Sequence, residues 1–206
     1  MAVGGENAKR YPPTVTPFIA VPEATPASKA ALDKLVSEGE TVGILSVIPD
    51  LGEHWATQKE FEIHQYIWDE DTVPPADAET VPLDESHIPA MLELTSLVYP
   101  AYFRAETARL GNYFGIIRGA QLVAMAGIRM AFDGHQELSA ICTHPDFRGQ
   151  GLAARLTNHL IAHVHAQGDV PFLHTEWNND PAKALYEKLG FRISNKPQFR
   201  VVQKVS

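Results

Sequence analysis

The chain has 206 residues, of which 45% are hydrophobic, and a formal net charge of −8. This length and apolar content can bury a substantial core, as one domain or as a domain with a smaller partner. The acidic balance argues against nucleic acid and acidic membranes as partners. No apolar run is long enough to span a bilayer, and the first residues lack signal-peptide character. Because a single cysteine also suits a reducing compartment, we expect a cytoplasmic protein.

Residues 1–68 are expected to form an αβ subdomain without a catalytic motif. Proline-punctuated extended segments precede a predicted helix over residues 28–38 and predicted strands over 41–48 and 61–68. This block is either a diverged half of a tandem repeat of the downstream fold or a subdomain that covers the sheet or the substrate cleft. Residues 69–80 are acidic and rich in proline, which is typical of a linker.

The sequence pattern of residues 81–206 predicts a second domain with the element order α, α, β, β, β, α, β, α, β. The apolar periodicities and turn residues predict, in chain order, helices over 86–98 and 103–110, a hairpin of strands 113–117 and 121–130, a strand that starts near Glu137, a helix over 152–167, a strand over 171–176 and a helix over 182–189.

The most informative segment is the turn Arg148-Gly149-Gln150-Gly151-Leu152-Ala153. It follows an apolar, strand-like segment and opens an amphipathic helix that ends at Gly168. Two glycines leave the backbone amides of the turn uncovered, and the positive end of the helix dipole lies beside them. Both features favour a bound phosphate. The sequence therefore predicts a site for a phosphorylated cofactor.

Three patterns compete for this turn. A Walker loop requires Gly-Lys-Ser/Thr, and no lysine occurs between Lys59 and Lys183. The dinucleotide pattern G-x-G-x-x-A is present from Gly149 to Ala154, but residues 144–148 separate it from the strand, and too little chain remains for repeated βαβ units. The third pattern, R/Q-x-x-G-x-G/A, is met in full, by Arg148, Gly151 and Ala153.

A second pattern lies downstream, on another predicted strand–loop–helix. Asp180 is a suitable N-cap for its helix, Pro181 a suitable first residue, and Gly190 ends it. The signature N-x-x-A-x-x-L-Y-x-x-x-G-F is matched by Asn179, Ala182, Leu185, Tyr186, Gly190 and Phe191. With both patterns in this order, the chain resembles the GNAT superfamily of N-acetyltransferases over roughly residues 81–206.

The resemblance implies an α/β (α+β) fold of the GNAT acyl-CoA N-acyltransferase type. Its mixed, mostly antiparallel central sheet is flanked by helices and carries an N-terminal αβ extension here. Acetyl-CoA is the implied co-substrate, with its pyrophosphate on the turn and its pantetheine arm where the strand ending at Thr143 diverges from the strand over 172–176. Strand amides in that gap would polarise the thioester carbonyl. The implied cofactor-binding residues are Ile141, Cys142, Thr143, Arg148, Gly149, Gln150, Gly151, Leu152, Ala153, Ala154, Asn179, Ala182 and Tyr186.

Tyr186 is the candidate general acid. It matches the tyrosine that often protonates the coenzyme A thiolate in this superfamily, and a phenol of pKa about 10 suits that role. The alternative is a tyrosine that only packs its helix. Asn179 either bonds the cofactor or caps the helix. Arg148 either adds charge near the phosphates or pins the loop.

The general base is not identified by the sequence. Glu137 begins one predicted strand and Glu176 ends its neighbour, so either carboxylate is a candidate, and a water chain is the alternative. His144 and His174 are further candidates. Each of these side chains also has a purely structural interpretation.

Cys142 and the histidines of the helix over 152–167 are expected to take no part in the chemistry. Direct transfer is the norm in the superfamily, so Cys142 is predicted to be a small core residue rather than an acyl-carrying nucleophile. His159 and His163 have the spacing of a zinc pair, but no H-E-x-x-H pattern or cysteine partner accompanies them. We therefore expect no metal.

The expected activity is that of an acyltransferase that moves an acetyl group from acetyl-CoA to a primary amine, of a small molecule or a peptide, by direct transfer. We expect a monomer or a homodimer. Two alternatives remain: a non-catalytic acyl-CoA-binding or regulatory module of the same fold and, more remotely, a Rossmann-type oxidoreductase. The motifs do not name the acceptor, because variable loops build acceptor pockets. Here those are residues 99–112, 132–136 and 195–199 and the N-terminal block.

Overall fold

The computed structural model describes residues 1–100 and 102–205. Ala101, in the predicted acceptor loop, and Ser206, at the end of the predicted second domain, lie outside the described residues. The strands are β1 Val3–Gly4, β2 Lys9–Arg10, β3 Phe18–Ala20, β4 Thr41–Leu45, β5 Trp55–Ile67, β6 Val81–Leu83, β7 Tyr113–Arg118, β8 Gln121–Phe132, β9 His135–Thr143, β10 Val170–Glu176, β11 Arg192–Asn195 and β12 Gln198–Lys204. The helices are α1 Pro26–Leu35, α2 Ile88–Val98, α3 Leu152–His165 and α4 Asp180–Lys188.

One mixed sheet runs in the order β1-β2-β3-β4-β12-β5-β10-β9-β8-β7-β6, with β11 paired to β5. The β3–β4 and β9–β10 pairs are parallel, and the other described pairs are antiparallel. Residues 55–62 of β5 pair with β12, and residues 63–67 pair with β10. The predicted sheet, mostly antiparallel and flanked by helices, is confirmed.

The two faces of the sheet carry different side chains. On one face, the i, i+4 stripe of α3 (Leu152, Leu156, Leu160 and Val164) packs against Leu138 and Leu173. On the other face, α2 packs against Met125 and Cys142. Because side chains alternate along a strand, the observed registers bring Glu137, His174 and Phe199 to this second face.

The predicted helix over residues 103–110 is wrong. The structure has only a short 3₁₀ turn, Thr107–Leu110, in this segment. Thr107 explains the difference: its hydroxyl accepts from Arg104 N at 2.7 Å and donates to the carbonyl of Val15. Glu106 N also bonds Thr14 O at 3.1 Å. These contacts with the N-terminal segment replace the hydrogen bonds that an α-helix would form.

The predicted linker, residues 69–80, has no helix or strand, but it is held against α3. The guanidinium of Arg155 forms two hydrogen bonds with Asp77, at 2.7 and 2.9 Å, and a third with Glu79, at 2.9 Å. On the N-terminal side of the linker, β5 lies between β12 and β10. The predicted boundary therefore cuts through one continuous sheet. No helix among the described residues is long and apolar enough to cross a membrane.

Candidate active site

The glycine turn and the first turn of α3 form an open cradle of backbone amides. Gly149 and Gly151 have φ of +76° and +73°, a conformation that disfavours other residues. A Cβ on either glycine would meet nothing within 4 Å. Arg155 N bonds Gly151 O at 3.1 Å, and the amides before it in the helix have no intrahelical acceptor. The local geometry therefore fits an anion above the helix.

The predicted gap between β9 and β10 is present. The parallel register of these strands ends at the pair Leu138 and Leu173. Beyond it, β9 remains paired with β8, whereas β10 remains paired with β5. The two strands therefore splay apart over their carboxyl-terminal halves.

A β-bulge at Ala140 accompanies this splay. Ala140 has φ +54°, and the register with β8 shifts between the pairs that involve Ser139 and Cys142. Further along, His144 N bonds Val123 O of β8 at 2.8 Å. Since successive N–H groups alternate along a strand, those of Thr143 and Ile141 point away from β8, into the gap. This is the orientation needed to bond a ligand that lies there.

The turn, the gap and α4 enclose a cavity of about 510 Å³, which we call the loop cavity. All of the predicted cofactor-binding residues line it except Gln150, which is exposed. The hydroxyl of Thr143 is buried and has no hydrogen-bond partner among the described residues, so it can bond a ligand. Sequence reasoning missed three apolar lining residues that match no motif position, Val98, Phe147 and Pro181, and it did not assign the motif residue Leu185 to the site.

Asn179, rather than the predicted Asp180, caps α4. Its side-chain oxygen accepts from Ala182 N at 3.3 Å, and Asp180 is the first residue of the helix. Asp180 instead forms an ion pair with Lys183 at 2.7 Å. Of the two roles predicted for Asn179, capping is therefore observed, and the residue also lines the loop cavity. Arg148 is exposed at the mouth of that cavity.

Tyr186 lies where the loop cavity meets a second one of about 190 Å³, which we call the network cavity. The side chain is only 7% exposed, and its ring lies 5.9 Å from those of Tyr66 and Phe191. Burial, reinforced by Tyr66, raises the pKa of Tyr186 well above the ordinary value. The phenol therefore keeps its proton at neutral pH, as a general acid must.

A buried charge network forms the floor of the network cavity. The guanidinium of Arg129 grips both carboxylate oxygens of Glu137, with Nε to Oε2 at 2.9 Å, and His174 Nδ1 donates to Oε1 at 2.8 Å. Burial alone would raise the pKa of Glu137, but the charge of Arg129 and the hydrogen bonds from His174 and Arg129 lower it to about 2.

This network argues against the predicted role of Glu137 as the general base. A carboxylate that is ionised down to acidic pH, with both oxygens occupied, is a poor proton acceptor. Glu176 is exposed at the end of β10 and does not line the network cavity. His174 lines the cavity, but both of its ring nitrogens have hydrogen-bond partners: Nδ1 bonds Glu137, and Nε2 lies 3.2 Å from the amide nitrogen of Gln65. His144 Nδ1 accepts from Asp146 N at 3.3 Å, which is a structural role.

The remaining candidates occupy structural positions. Burial raises the pKa of the Cys142 thiol to about 12, which makes it a weak nucleophile. His159 and His163 contact the ring of Phe114, with ring centroids 4.7 and 4.9 Å away. No group of three His, Cys, Asp or Glu side chains with metal-site geometry occurs in residues 1–100 and 102–205. Arg129, which lines the network cavity, was missed because no motif contains it, whereas Tyr99 belongs to the predicted acceptor loop 99–112.

Comparison with known proteins agrees with this geometry. The family model described as FR47-like protein matches residues 113–200. The N-alpha-acetyltransferase RimI of Mycobacterium tuberculosis (strain ATCC 25618 / H37Rv) is 35% identical over 99 residues, which is 45% of this chain and 60% of that protein. The chain thus spans less than two thirds of this curated relative.

Solved structures extend the likeness to the whole chain. A GCN5-related N-acetyltransferase from Kribbella flavida shares the fold, with a TM-score of 0.64 and 15% identity over 100% of this chain and 90% of that one. A structure from Novosphingobium aromaticivorans DSM 12444, assigned to the GNAT family of acetyltransferases, has a TM-score of 0.87 and 31% identity over 100% of this chain and 92% of its own. On this full-length similarity and the two motifs, the chain belongs to the GNAT family of acetyltransferases.

Proposed function

We propose that this protein transfers an acetyl group directly from acetyl-CoA to a primary amine. One observation carries the proposal: the splay of β9 and β10 opens beside the glycine turn of α3, and Tyr186 lies where the two cavities meet. A phosphate cradle, a slot with free amides and a buried acid are the parts that thioester chemistry requires. The residues proposed for these three roles lie next to one another.

The proposed donor site follows the loop cavity. Amides from Gly149 to Ala154 would bond the pyrophosphate, with the exposed Arg148 adding positive charge. The pantetheine arm would lie in the gap, where the N–H groups of Ile141 and Thr143 are directed. The open space above both glycines supports this placement, because a Cβ there would meet no protein atom.

In the proposed chemistry, the amine nitrogen attacks the thioester carbon from the network cavity. The carbon–sulfur bond breaks, and the Tyr186 hydroxyl donates its proton to the departing sulfur. The proton that the amine nitrogen loses passes through water and restores the Tyr186 hydroxyl. Strand amides in the gap stabilise the charge that develops on the carbonyl oxygen. Transfer is direct because the neighbouring thiol of Cys142 is buried and protonated.

An α-amine is the acceptor group that the name of one relative suggests. The M. tuberculosis relative, which matches 99 residues of this chain, is named as an N-alpha-acetyltransferase. Its acceptor need not be shared, since the similarity covers only part of each chain. The predicted cytoplasmic location and the predicted monomer or homodimer remain predictions.

The test is release of free thiol from acetyl-CoA in the presence of an amine panel, together with mass analysis of the acetylated product. We expect thiol and acetyl-amine in equal amounts. Binding of acetyl-CoA without thiol release from any amine would instead identify a non-catalytic acyl-CoA module. Tighter binding of NADH than of acetyl-CoA would favour the oxidoreductase alternative.

A further inference from the structure

A third cavity, of about 260 Å³, lies on the second face of the sheet, between the N-terminal block and β12. We call it the aromatic cavity, because Tyr11, Phe18 and Phe199 supply much of its wall, together with Ile63 and Leu45. Its rings are held in place by one another: Phe18 and Phe199 meet edge to face at 5.9 Å. No role in binding acetyl-CoA involves this cavity.

Arg129 connects the aromatic cavity to the reaction centre. Its side chain lines both the aromatic cavity and the network cavity, which in turn shares Ile141 and Tyr186 with the loop cavity. The guanidinium carbon lies 4.8 Å from the centroid of the Phe18 ring. The three cavities therefore form a row, with Arg129 between the last two.

The guanidinium of Arg129 retains hydrogen-bonding capacity towards these cavities. Its Nε and Nη2 bond Glu137, whereas Nη1 has no hydrogen-bond partner within residues 1–100 and 102–205. The side chain is 18% exposed although it belongs to a buried ion pair. A carboxylate or carbonyl oxygen is the natural hydrogen-bond acceptor for the Nη1 group of Arg129.

The lining also limits what can enter. Among the described residues that surround the aromatic cavity, none is an aspartate or glutamate. A second ammonium group, as in a diamine, would therefore lose its hydration without gaining a counter-charge. An uncharged apolar side chain would instead replace water on a mostly apolar wall.

We propose that the aromatic cavity holds the side chain of the acceptor and that the acceptor is an α-amino acid with a large apolar side chain, free or at the amino terminus of a peptide. Arg129 bonds its carboxylate or first carbonyl, and its α-amine lies in the network cavity beside Tyr186. The proposal rests on the proposed acetyl transfer and adds the substrate class. It also gives residues 1–20 a role in acceptor choice.

Binding and turnover test this separately. The full-length protein is tested with five acceptors: L-phenylalanine, phenylalanine amide, a peptide with amino-terminal Phe, glycine and spermidine. Calorimetry in the presence of coenzyme A measures the binding of each acceptor, and an acetylation assay measures its turnover. Burial of a phenyl side chain predicts a KM about 10- to 100-fold lower for phenylalanine than for glycine. The amide and the peptide distinguish a free amino acid from a peptide amino terminus as the acceptor, because both have an amide in place of the α-carboxylate of phenylalanine.

Ala20→Phe provides the structural arm, because Ala20 is exposed on β3 and lines the aromatic cavity. The added ring should raise the KM for phenylalanine about tenfold or more, with little effect on glycine turnover or on coenzyme A affinity. Ala131→Phe is the matched control: Ala131 is also an exposed strand alanine, close to Arg129 in sequence, and lines none of the three cavities.

Two outcomes would overturn the substrate assignment: preferred acetylation of spermidine, or an unchanged KM for phenylalanine in Ala20→Phe. Failure of the proposed function looks different, because phenylalanine would then bind, with sensitivity to Ala20→Phe, but no amine would be acetylated. Acetylation of other amines without binding of phenylalanine would leave the proposed function standing and remove this inference.

Discussion

The glycine turn offers a perturbation whose effect on the backbone can be separated from its effect on the ligand. Gly151 is the N-cap that precedes α3, with φ +73°, and Gly168 follows the other end of the same helix with φ +81°. A Cβ at either position meets nothing within 4 Å. Alanine at either position should therefore cost about 1–2 kcal/mol of folding free energy, from left-handed strain alone.

Only Gly151 lines the loop cavity. In Gly151→Ala the methyl group occupies the open space above the first turn of α3, where the phosphate would approach the amides. Loss of one hydrogen bond to a charged oxygen is worth about 1.5–3 kcal/mol, or about 10- to 150-fold in the Kd of acetyl-CoA. Gly168→Ala should leave the Kd unchanged.

Calorimetric titration with acetyl-CoA measures the affinity, and urea unfolding measures the stability of the same preparations. We expect similar stability losses in the two variants and a weaker Kd in Gly151→Ala alone. An unchanged Kd in Gly151→Ala would refute the phosphate-cradle reasoning. Equal weakening in both variants would show that the loss comes from helix destabilisation rather than from the ligand contact.

The other predictions concern the acid, the buried network and the domain boundary. Tyr186→Phe should lower kcat about 10²-fold or more with little change in acetyl-CoA affinity. The control Tyr66→Phe loses a hydrogen bond to Glu187 outside the loop and network cavities and should retain kcat. An unchanged kcat in Tyr186→Phe would end the general-acid assignment. Because burial raises the pKa of Tyr186, any loss of rate from its ionisation should appear only above about pH 10 in the pH profile of kcat. Glu137→Gln should lose about 3–5 kcal/mol of unfolding free energy at pH 7, since it leaves the Arg129 charge buried without a partner. The pKa of Glu137 in the folded protein lies below its ordinary value of 4.5, so the stabilisation that Glu137 contributes is present above pH 4.5 and is lost as the pH falls towards 2. The difference in unfolding free energy between wild type and Glu137→Gln, measured by urea titration, should therefore narrow over that range. A stable Glu137→Gln protein with a collapsed kcat would instead support Glu137 as the base. A protein that begins at Val81 lacks β5, the strand between β12 and β10, and should show no cooperative unfolding by circular dichroism; a folded truncation that retains coenzyme A affinity would show that the linker is a true boundary.

The proposed donor half of the site was predictable because local sequence determines it. Glycines in a turn, a helix start and a strand–loop–helix signature have recognisable spacings, and Gly151, Asn179 and Tyr186 lie where these patterns indicate. The cap on α4 was assigned one residue too late, since both Asn179 and Asp180 are good capping residues and only the loop conformation decides between them.

The buried network of the network cavity was not predictable, because it depends on pairings between distant parts of the chain. Arg129 and Glu137 lie eight residues apart in sequence, but His174 joins them only through the register of β10 with β9. The segment over 103–110 has helical periodicity, yet its contacts with residues 14 and 15 give it another conformation. In the same way, nothing local in residues 55–67 reveals that this strand lies at the centre of the sheet.

The most direct test of acetyl transfer follows free thiol and acetylated product together while the full-length protein turns over acetyl-CoA with phenylalanine, glycine and a broader amine panel. We predict stoichiometric thiol and N-acetyl product, a rate that falls about 10²-fold or more in Tyr186→Phe, and no competition by NADH. Saturable binding of acetyl-CoA without thiol release from any amine would contradict the account and leave a protein that binds acyl-CoA without catalysis.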